Sequence, residues 1–440
     1  MEDNKEQIKK KKRIRINWFK AARALALLLI VLTVAASWVP ATLSPGDSFD
    51  RDLIREWGDL SADAPPVKAS SAIIWSLDLD KPVYEKNADE RMAPYSTTKI
   101  LTCYLALENL DPDQIVTVSK NATKELEDGM EMELEPGEEL KAIDLIYASM
   151  MMSANDAATA LGEAVSGSEK EFAKLMNETA AEWGCEKTHF VNANGWDDKD
   201  HYTTARDFAI ITKHCMENDK LREISLTKEY TVPATNKNDP LLMDNAFLKA
   251  VDNDPAMTVG KTGSWSDTQC CITLGFTEDA LSSVIVLLGD TRKGRSEDPR
   301  TLIDFAHDVT PGFIVTKNDK GVCEAWVKHG AEVTVPLDVK GIRYAYPASG
   351  KASGVKIKTE IDRLEAPVKK GDKAGKYYIY ANDKEVGRGY LYAGADVKKG
   401  WFPSALYISN QRTLAVLLVA VLLVLLGFVL EKNKELKGRK

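Results

Sequence analysis

Ala93-Pro94-Tyr95-Ser96-Thr97-Thr98-Lys99 stands immediately before Ile100, Leu101, Tyr104, Leu105 and Leu107, apolar residues that recur at helical spacing as far as Asn109. Pro94 before the run and Asn109 near its end bound a helix, so the reading places Ser96 at a helix N-terminus. Lys99, three residues on, falls on the same helix face. A hydroxyl is a weak nucleophile until a base takes its proton, and a lysine at this spacing is within reach of it. Working back along the chain, Ala72 to Leu77 and Val83 to Lys86 read as strands joined by a turn through Asp80, Lys81 and Pro82, a hairpin that delivers the chain to Ser96.

The Ser-x-x-Lys spacing alone says little, because Ser225-Leu226-Thr227-Lys228 and Ser353-Gly354-Val355-Lys356 repeat it. Further along, Ser153-Ala154-Asn155 follows an apolar helix ending at Met151 and precedes another helix, so a tight link there projects its side chains outward; Ser119-Lys120-Asn121 imitates it in a polar stretch, and a lone Ser153 reads as a helix cap. Lys261-Thr262-Gly263 occurs once, on a strand candidate, where the glycine lets a ligand backbone approach closely. A helix-borne serine and lysine, a loop serine and asparagine, and a strand-borne lysine, threonine and glycine, in that order, make chance a weak competitor.

The three elements resemble those of the penicillin-binding proteins and class A β-lactamases. The resemblance is closer to the serine D-Ala-D-Ala carboxypeptidases, peptidase family S11, in Ala93 to Lys99, in Ser153-Ala154-Asn155-Asp156-Ala157-Ala158 and in His189-Phe190-Val191-Asn192-Ala193-Asn194-Gly195. It covers roughly residues 70 to 310, and Ala366-Pro367-Val368-Lys369-Lys370-Gly371-Asp372 is similar to the family's C-terminal module. The resemblance implies that Ser96 attacks the terminal D-Ala-D-Ala bond of peptidoglycan stem pentapeptides, with Lys99 as base and an acyl-enzyme as intermediate. It further implies that Ser153 passes a proton to the departing D-alanine and that Asn155 holds Lys99 and the substrate amide. Lys261 and Thr262 then bind the carboxylate, Gly263 gives access, and the backbone N–H groups of Ser96 and Ser264 form the oxyanion hole. β-Lactam antibiotics are expected as covalent inhibitors, and no cofactor is expected. Trp196 and the Cys270-Cys271 pair are unusual residues for their blocks.

The implied fold class is α+β: a β-lactamase/transpeptidase-like catalytic domain, an antiparallel sheet with helices, followed by a small all-β domain and a transmembrane helix. Helices are read at Ala142 to Met151, Asp156 to Val165 and Glu169 to Trp183, the last with Ser168 and Glu171 in capping-box register. Strands follow at Thr258 to Thr262, Cys270 to Phe276 and Ser282 to Leu288, with a helix around Leu302 to Ala306. Beyond Pro311-Gly312, Phe313 to Val315, Glu332 to Val335, Val355 to Thr359, Tyr377 to Tyr380 and Gly389 to Tyr392 read as short strands.

The ends fix the expected compartment. Lys9 to Arg13 and Arg15 lead into an apolar stretch from Ala24 to Val39, the pattern of an export signal or signal anchor. Ala35, Ala36 and Ala41 offer cleavage points, so both a removed and a retained segment fit. Leu414 to Leu430 is unbroken and apolar with Lys432, Lys434, Lys437, Arg439 and Lys440 after it, which predicts a membrane span and a cytoplasmic tail. The expected organisation is 1–40 basic segment and signal, 41–67 spacer, 68–310 catalytic domain, 311–405 all-β domain, 412–431 transmembrane anchor and 432–440 cytoplasmic tail. The cell membrane is therefore an expected partner, with the catalytic domain outside.

The 440 residues carry a net charge of −8, with the cations crowded into the two ends, which argues against a nucleic-acid partner. The six cysteines lack metal-ligand spacing, so no structural metal is expected. His189, His201 and His214 lie in no nucleophile-elbow sequence and read as structural or surface residues; Arg292 and Arg295 read as surface ion-pair formers or as attractors of an acidic substrate. Rival readings are a β-lactamase, which needs a further carboxylate to activate deacylating water, a D,D-endopeptidase using the same residues, and a non-catalytic cell-wall-binding protein.

Overall fold

The computed structural model describes residues 20, 21, 24–28, 49–124, 129–401 and 410–437. Most of the expected export segment and the tail beyond 437 lie outside the described residues.

The catalytic half is organised on a five-stranded antiparallel sheet. Its strands are β1 (Ser71–Ser76), β2 (Lys81–Lys86), β3 (Met257–Ser266), β4 (Gln269–Glu278) and β5 (Leu281–Asp290), in the order β2-β1-β5-β4-β3. The turn between β1 and β2 holds Asp80 at φ +49°, a left-handed position that a short polar residue tolerates. β1 pairs with β5 through Ile74↔Ile285, bringing the start of the domain beside its last strand. Both strands are buried on the two faces of the sheet, which is why Ala72-Ile73-Ile74 and Val284 to Leu288 are continuous apolar runs without alternation.

Eight helices surround this sheet: α1 (Lys99–Asn109), α2 (Ala142–Met151), α3 (Asn155–Ser166), α4 (Glu169–Glu182), α5 (Ala205–Cys215), α6 (Asp219–Ser225), α7 (Ala246–Ala250) and α8 (Gly294–Val309). Helix α8 covers one face of the sheet, with Leu302, Ile303 and Ala306 packed among Ile74, Ile285 and Leu287. On the other face Ile73, Val284, Val286 and Leu288 join Ile100, Leu101, Leu145, Phe172 and Phe208 of the helical half. Ser168 caps α4 by accepting from the Glu171 N–H, as its register predicts. The sequence reading passed over α5, although Thr204 caps it in the same way and Phe208, Ile211 and Cys215 form its buried face.

The C-terminal domain is a six-stranded sheet in the order Lys356–Ile361, Lys373–Ala381, Lys384–Ala393, Thr334–Val339, Cys323–Lys328, Leu364–Glu365. Beside it Gly312–Lys317 pairs with Ile342–Ala345 on one side and with Arg55–Trp57 on the other. This corrects the expectation of a spacer over the later part of 41–67. Phe49 is buried against Tyr377, Arg55 forms a 2.6 Å ion pair with Asp319, and the Trp57 indole donates to the His307 carbonyl. A three-residue strand is too short to show periodicity, and its partner lies at the far end of the domain.

Asn410–Lys437 forms a helix, α9. Among the described residues no helix is long and apolar enough to cross a membrane. In α9 the described side chains run from 414 to 429, with Leu414, Leu418, Leu422, Leu426 and Phe428 exposed. All six cysteines are buried, and none forms a disulfide among the described residues; Cys270 and Cys271, on opposite faces of β4, direct their thiols to the carbonyls of Ser266 and Ala93 respectively.

Candidate active site

Ser96 lies in a single 3₁₀ turn, Tyr95–Thr98, from which α1 continues at Lys99. With three residues per turn, positions i and i+3 eclipse, so Lys99 stands directly over Ser96. The Lys99 Nζ is 3.0 Å from Ser96 Oγ, 2.7 Å from Asn155 Oδ1 and 2.5 Å from the carbonyl oxygen of Asn194. Lys99 is fully buried, and burial, reinforced by the charge of Lys261, holds its ammonium pKa well below the ordinary lysine value. A neutral amine has two N–H donors and one lone pair. The two carbonyl oxygens take the donors, and the lone pair is left for the Ser96 hydroxyl proton.

The turn is held on every side. Thr97 Oγ1 donates to the Pro94 carbonyl and Thr102 Oγ1 to that of Ala193. The buried His201 accepts the Val191 N–H on Nδ1, which leaves its Nε2–H to donate to Thr98 Oγ1; burial lowers its pKa to about 4, so the ring stays neutral. Its place is structural, two residues from the nucleophile. Gly195, at φ +78°, packs where a Cβ would lie 1.9 Å from the Tyr95 carbonyl oxygen. Gly263 corrects the sequence reading in one respect: the space a side chain would fill is occupied by the chain's own turn, with Pro94 O at 2.9 Å and Ser96 N at 3.0 Å, and not by a ligand.

Ser153 occupies the link between α2 and α3 at φ +67°, a strained position for a residue with a side chain. Asn155 opens α3 and donates its N–H to the Met130 carbonyl, while the Asp156 carboxylate accepts from the N–H groups of Met132, Leu134 and Ala157. These bonds hold the 130–134 segment over the link. Lys261, on β3, is fully buried and donates to Ser153 Oγ at 2.9 Å and to the Thr262 carbonyl at 3.0 Å. Burial brings its pKa down to about 7.

Ser96, Ser153, Asn155, Thr262, Gly263 and Ser264 all line one cleft of about 600 Å³, with Lys99 and Lys261 directly beneath. Two further features of this cleft lie outside the three motifs. Arg295, at the start of α8, lines it with no carboxylate partner among the described residues and reaches the Gly263 carbonyl at 3.4 Å, whereas Arg292 pairs with Asp267 at 2.6 Å. The second is the Asn194 carbonyl, a backbone group that no side-chain pattern announces. Tyr95, Trp265 and Trp196 form an aromatic wall, Trp265 stacking on Tyr95 and meeting Trp196 edge-on at a centroid distance of 5.0 Å. No Asp or Glu among the described residues lines the cleft.

The imitating motifs are elsewhere. Ser225 is buried, donates to the Gly260 carbonyl and accepts the Gly260 N–H, fastening α6 to β3. Ser119 bonds Glu163 and receives the N–H groups of Asn121 and Ala122. Ser353 opens onto solvent, with Lys356 paired to Asp383.

Residues 59–292 match the family model for D-alanyl-D-alanine carboxypeptidase, just over half of the chain. The chain belongs to the D-alanyl-D-alanine carboxypeptidase family. Residues 314–399 match the C-terminal domain of penicillin-binding protein 5. Among curated carboxypeptidases of the family, DacF of Bacillus subtilis is 30% identical over 343 residues, covering 76% of this chain and 87% of that protein. DacC of Escherichia coli is 28% identical over 370 residues, 78% of this chain and 87% of its own length. Among solved structures, penicillin-binding protein 5 of Haemophilus influenzae superposes with a TM-score of 0.53 at 25% identity, covering 77% of this chain and all of that one. The Streptomyces K15 DD-transpeptidase gives 0.51 at 25% identity over 56% of this chain and 98% of its own. The chain is a serine-type hydrolase of this carboxypeptidase family.

Proposed function

We propose that this carboxypeptidase removes the terminal D-alanine from peptidoglycan stem peptides through an acyl-enzyme on Ser96. The observation that carries the reading is the fully buried Lys99, 3.0 Å from Ser96 Oγ and with its N–H donors directed to two carbonyl oxygens. Ser96 Oγ attacks the carbonyl carbon between the two D-alanines while its proton moves to Lys99 Nζ. The developing oxyanion is held by the N–H groups of Ser96 and Ser264, worth about 3 kcal/mol per donor. As the C–N bond breaks, Ser153, hydrogen-bonded to Lys261, passes a proton to the departing amine, and water then releases the shortened peptide. Asn155 orients Lys99.

The geometry supports a division of labour that differs from the family-based expectation for the carboxylate. Lys261 is fully buried and spent on Ser153 and the Thr262 carbonyl, while Thr262, Ser264 and Arg295 face the cleft. Arg295 and Thr262 take the substrate carboxylate, and Lys261 acts through Ser153 and through its field on Lys99. β-Lactams, whose strained amide presents a carbonyl and a carboxylate in the same relation, acylate Ser96 and remain there.

We further infer that the catalytic domain lies outside the cytoplasmic membrane, with 412–431 as its anchor. Supporting this, α9 at 28 residues is about 42 Å long, most of the apolar side chains in its described part are exposed, with Ala420 buried on one face, and Lys432, Lys434 and Lys437 follow. The deciding experiment is mass spectrometry of the full chain after exposure to penicillin, comparing wild type, Ser96→Ala and Ser225→Ala. An adduct lost only in Ser96→Ala is expected; a wild-type chain that takes no adduct overturns the acyl-enzyme reading.

A further inference from the structure

In the C-terminal domain, Lys373–Ala381 and Lys384–Ala393 form one antiparallel hairpin with Tyr378 opposite Arg388 and Lys376 opposite Tyr390. Alternation sends Tyr377, Ile379 and Leu391 into the core and puts Lys376, Tyr378, Arg388, Tyr390 and Tyr392 on the outer face. Gly389 lies between them because a Cβ there would meet the Tyr377 ring at 2.5 Å. Arg343, from the neighbouring strand Ile342–Ala345, crosses this face and donates to the Arg388 carbonyl, and one face of the Tyr392 ring is met by Lys340 at 4.2 Å and one face of the Tyr390 ring by Lys373 at 3.9 Å. The result is a cleft of about 270 Å³ lined by Lys340, Arg343, Lys376 and Arg388 together with Tyr378, Tyr390 and Tyr392.

Its electrostatics are one-sided. No carboxylate lines it, and Lys340, Arg343 and Lys376 form no ion pair among the described residues; Arg388 is paired with Glu385, and at the edge Tyr378 donates its hydroxyl to Glu360, which stands across the strand pair from Lys376. Four cations gathered in one concavity of a protein with net charge −8 repel one another, a cost that an anionic occupant removes. Tyrosine rings beside them suit a ligand that alternates flat apolar faces with acidic groups, because rings present both a stacking surface and a hydroxyl. We propose that this cleft is a second peptidoglycan-binding site, taking pyranose faces against the tyrosines and the carboxylates of the peptide stems on Lys340, Arg343, Lys376 and Arg388. It holds the polymer independently of the reaction at Ser96, and it rests on the assignment of peptidoglycan as substrate made above.

The test is co-sedimentation of the full chain, in detergent, with insoluble peptidoglycan freed of covalently attached phosphate polymers, after Ser96 has been blocked with penicillin. Lys340→Glu/Lys376→Glu is expected to weaken retention about 10-fold, and Tyr390→Ala about 3-fold, with retention falling as salt rises. Lys320→Glu/Lys399→Glu, which changes the net charge equally at exposed positions outside the cleft, is expected to bind like wild type. Penicillin labelling at unchanged rate in every variant shows that the chain is folded. Unchanged retention in Lys340→Glu/Lys376→Glu, equal loss in the Lys320→Glu/Lys399→Glu control, or retention only on material still carrying phosphate polymers overturns the proposal. Failure of penicillin to label wild type strikes the catalytic reading instead and leaves the sedimentation result legible.

Discussion

Ser96-Thr97-Thr98-Lys99 and Ser353-Gly354-Val355-Lys356 share a spacing, and both serines sit in 3₁₀ turns. Around the first pair, strand β3, the Asn194 loop and the start of α3 close over the lysine until it is 0% exposed, with only neutral oxygen atoms as partners. Around the second, Lys356 begins a surface strand, its side chain is 64% exposed, and Asp383 meets it at 2.9 Å. Water and a carboxylate keep a lysine charged; a dry site without a carboxylate partner among the described residues takes the charge away. The tetrapeptide supplies the groups, and the surrounding chain decides whether one of them is a base.

The largest contrast comes from the nucleophiles. Ser96→Ala is expected to slow acylation by penicillin at least about 10³-fold, and Ser353→Ala to leave it unchanged, as measured by adduct formation over time. Loss of acylation in Ser353→Ala would remove the distinction between the two turns. Next in size, Lys99→Arg keeps a cation over Ser96 that cannot lose its proton, so acylation is expected to drop about 10³-fold, while Lys356→Arg retains its pairing with Asp383 and full activity.

The pH profile sharpens the same point. In the proposed mechanism Lys99 is neutral and Lys261 charged, so the acid limb of the acylation rate is expected to belong to Lys99 and to lie well below the ordinary lysine range. The alkaline limb belongs to Lys261, near its depressed pKa of about 7 in the free enzyme. In Lys261→Gln the alkaline limb is expected to vanish and the acid limb to move upward, because the charge that helps hold Lys99 neutral has gone. An acid limb that stays in place would show that burial alone depresses Lys99. Smallest in its effect on chemistry is Ser225→Ala. It leaves the Gly260 N–H and carbonyl without their hydroxyl partner and is expected to cost about 1–3 kcal/mol in denaturant unfolding, with acylation per folded molecule unchanged.

Much of the site was legible because catalysis here uses side chains at fixed spacings. The β1–β2 hairpin, the helix after Ser96, the links flanking α2 and the three long strands after Met257 follow from periodicity and turn residues. What escaped was set by tertiary approach. Asn194 contributes a carbonyl oxygen, which every residue has, and only the folded loop aims it at Lys99. Arg292 and Arg295 were read alike, as ion-pair formers or attractors of an acidic substrate; both line the cleft, but among the described residues only Arg292 pairs with a carboxylate, Asp267. Gly263 was correctly marked as a point of close approach but with the wrong neighbour, since nothing in the local sequence says that residues 94–97 lie against it. Nor does the local sequence say that Lys261 is buried beneath Ser153, to which it donates.

The pairing of Arg55–Trp57 with Gly312–Lys317 has a bearing on the order of events during synthesis. A chain synthesised from its N-terminus presents Arg55 long before Ile314, so this strand waits, unpaired, while everything between them emerges. Folding of the catalytic sheet, which joins β1 to β5, brings the two ends of that long interval together and shortens the loop still to be closed. The small sheet is therefore a closing seam, formed last, and a chain interrupted before residue 312 is left with an open strand edge at its own beginning.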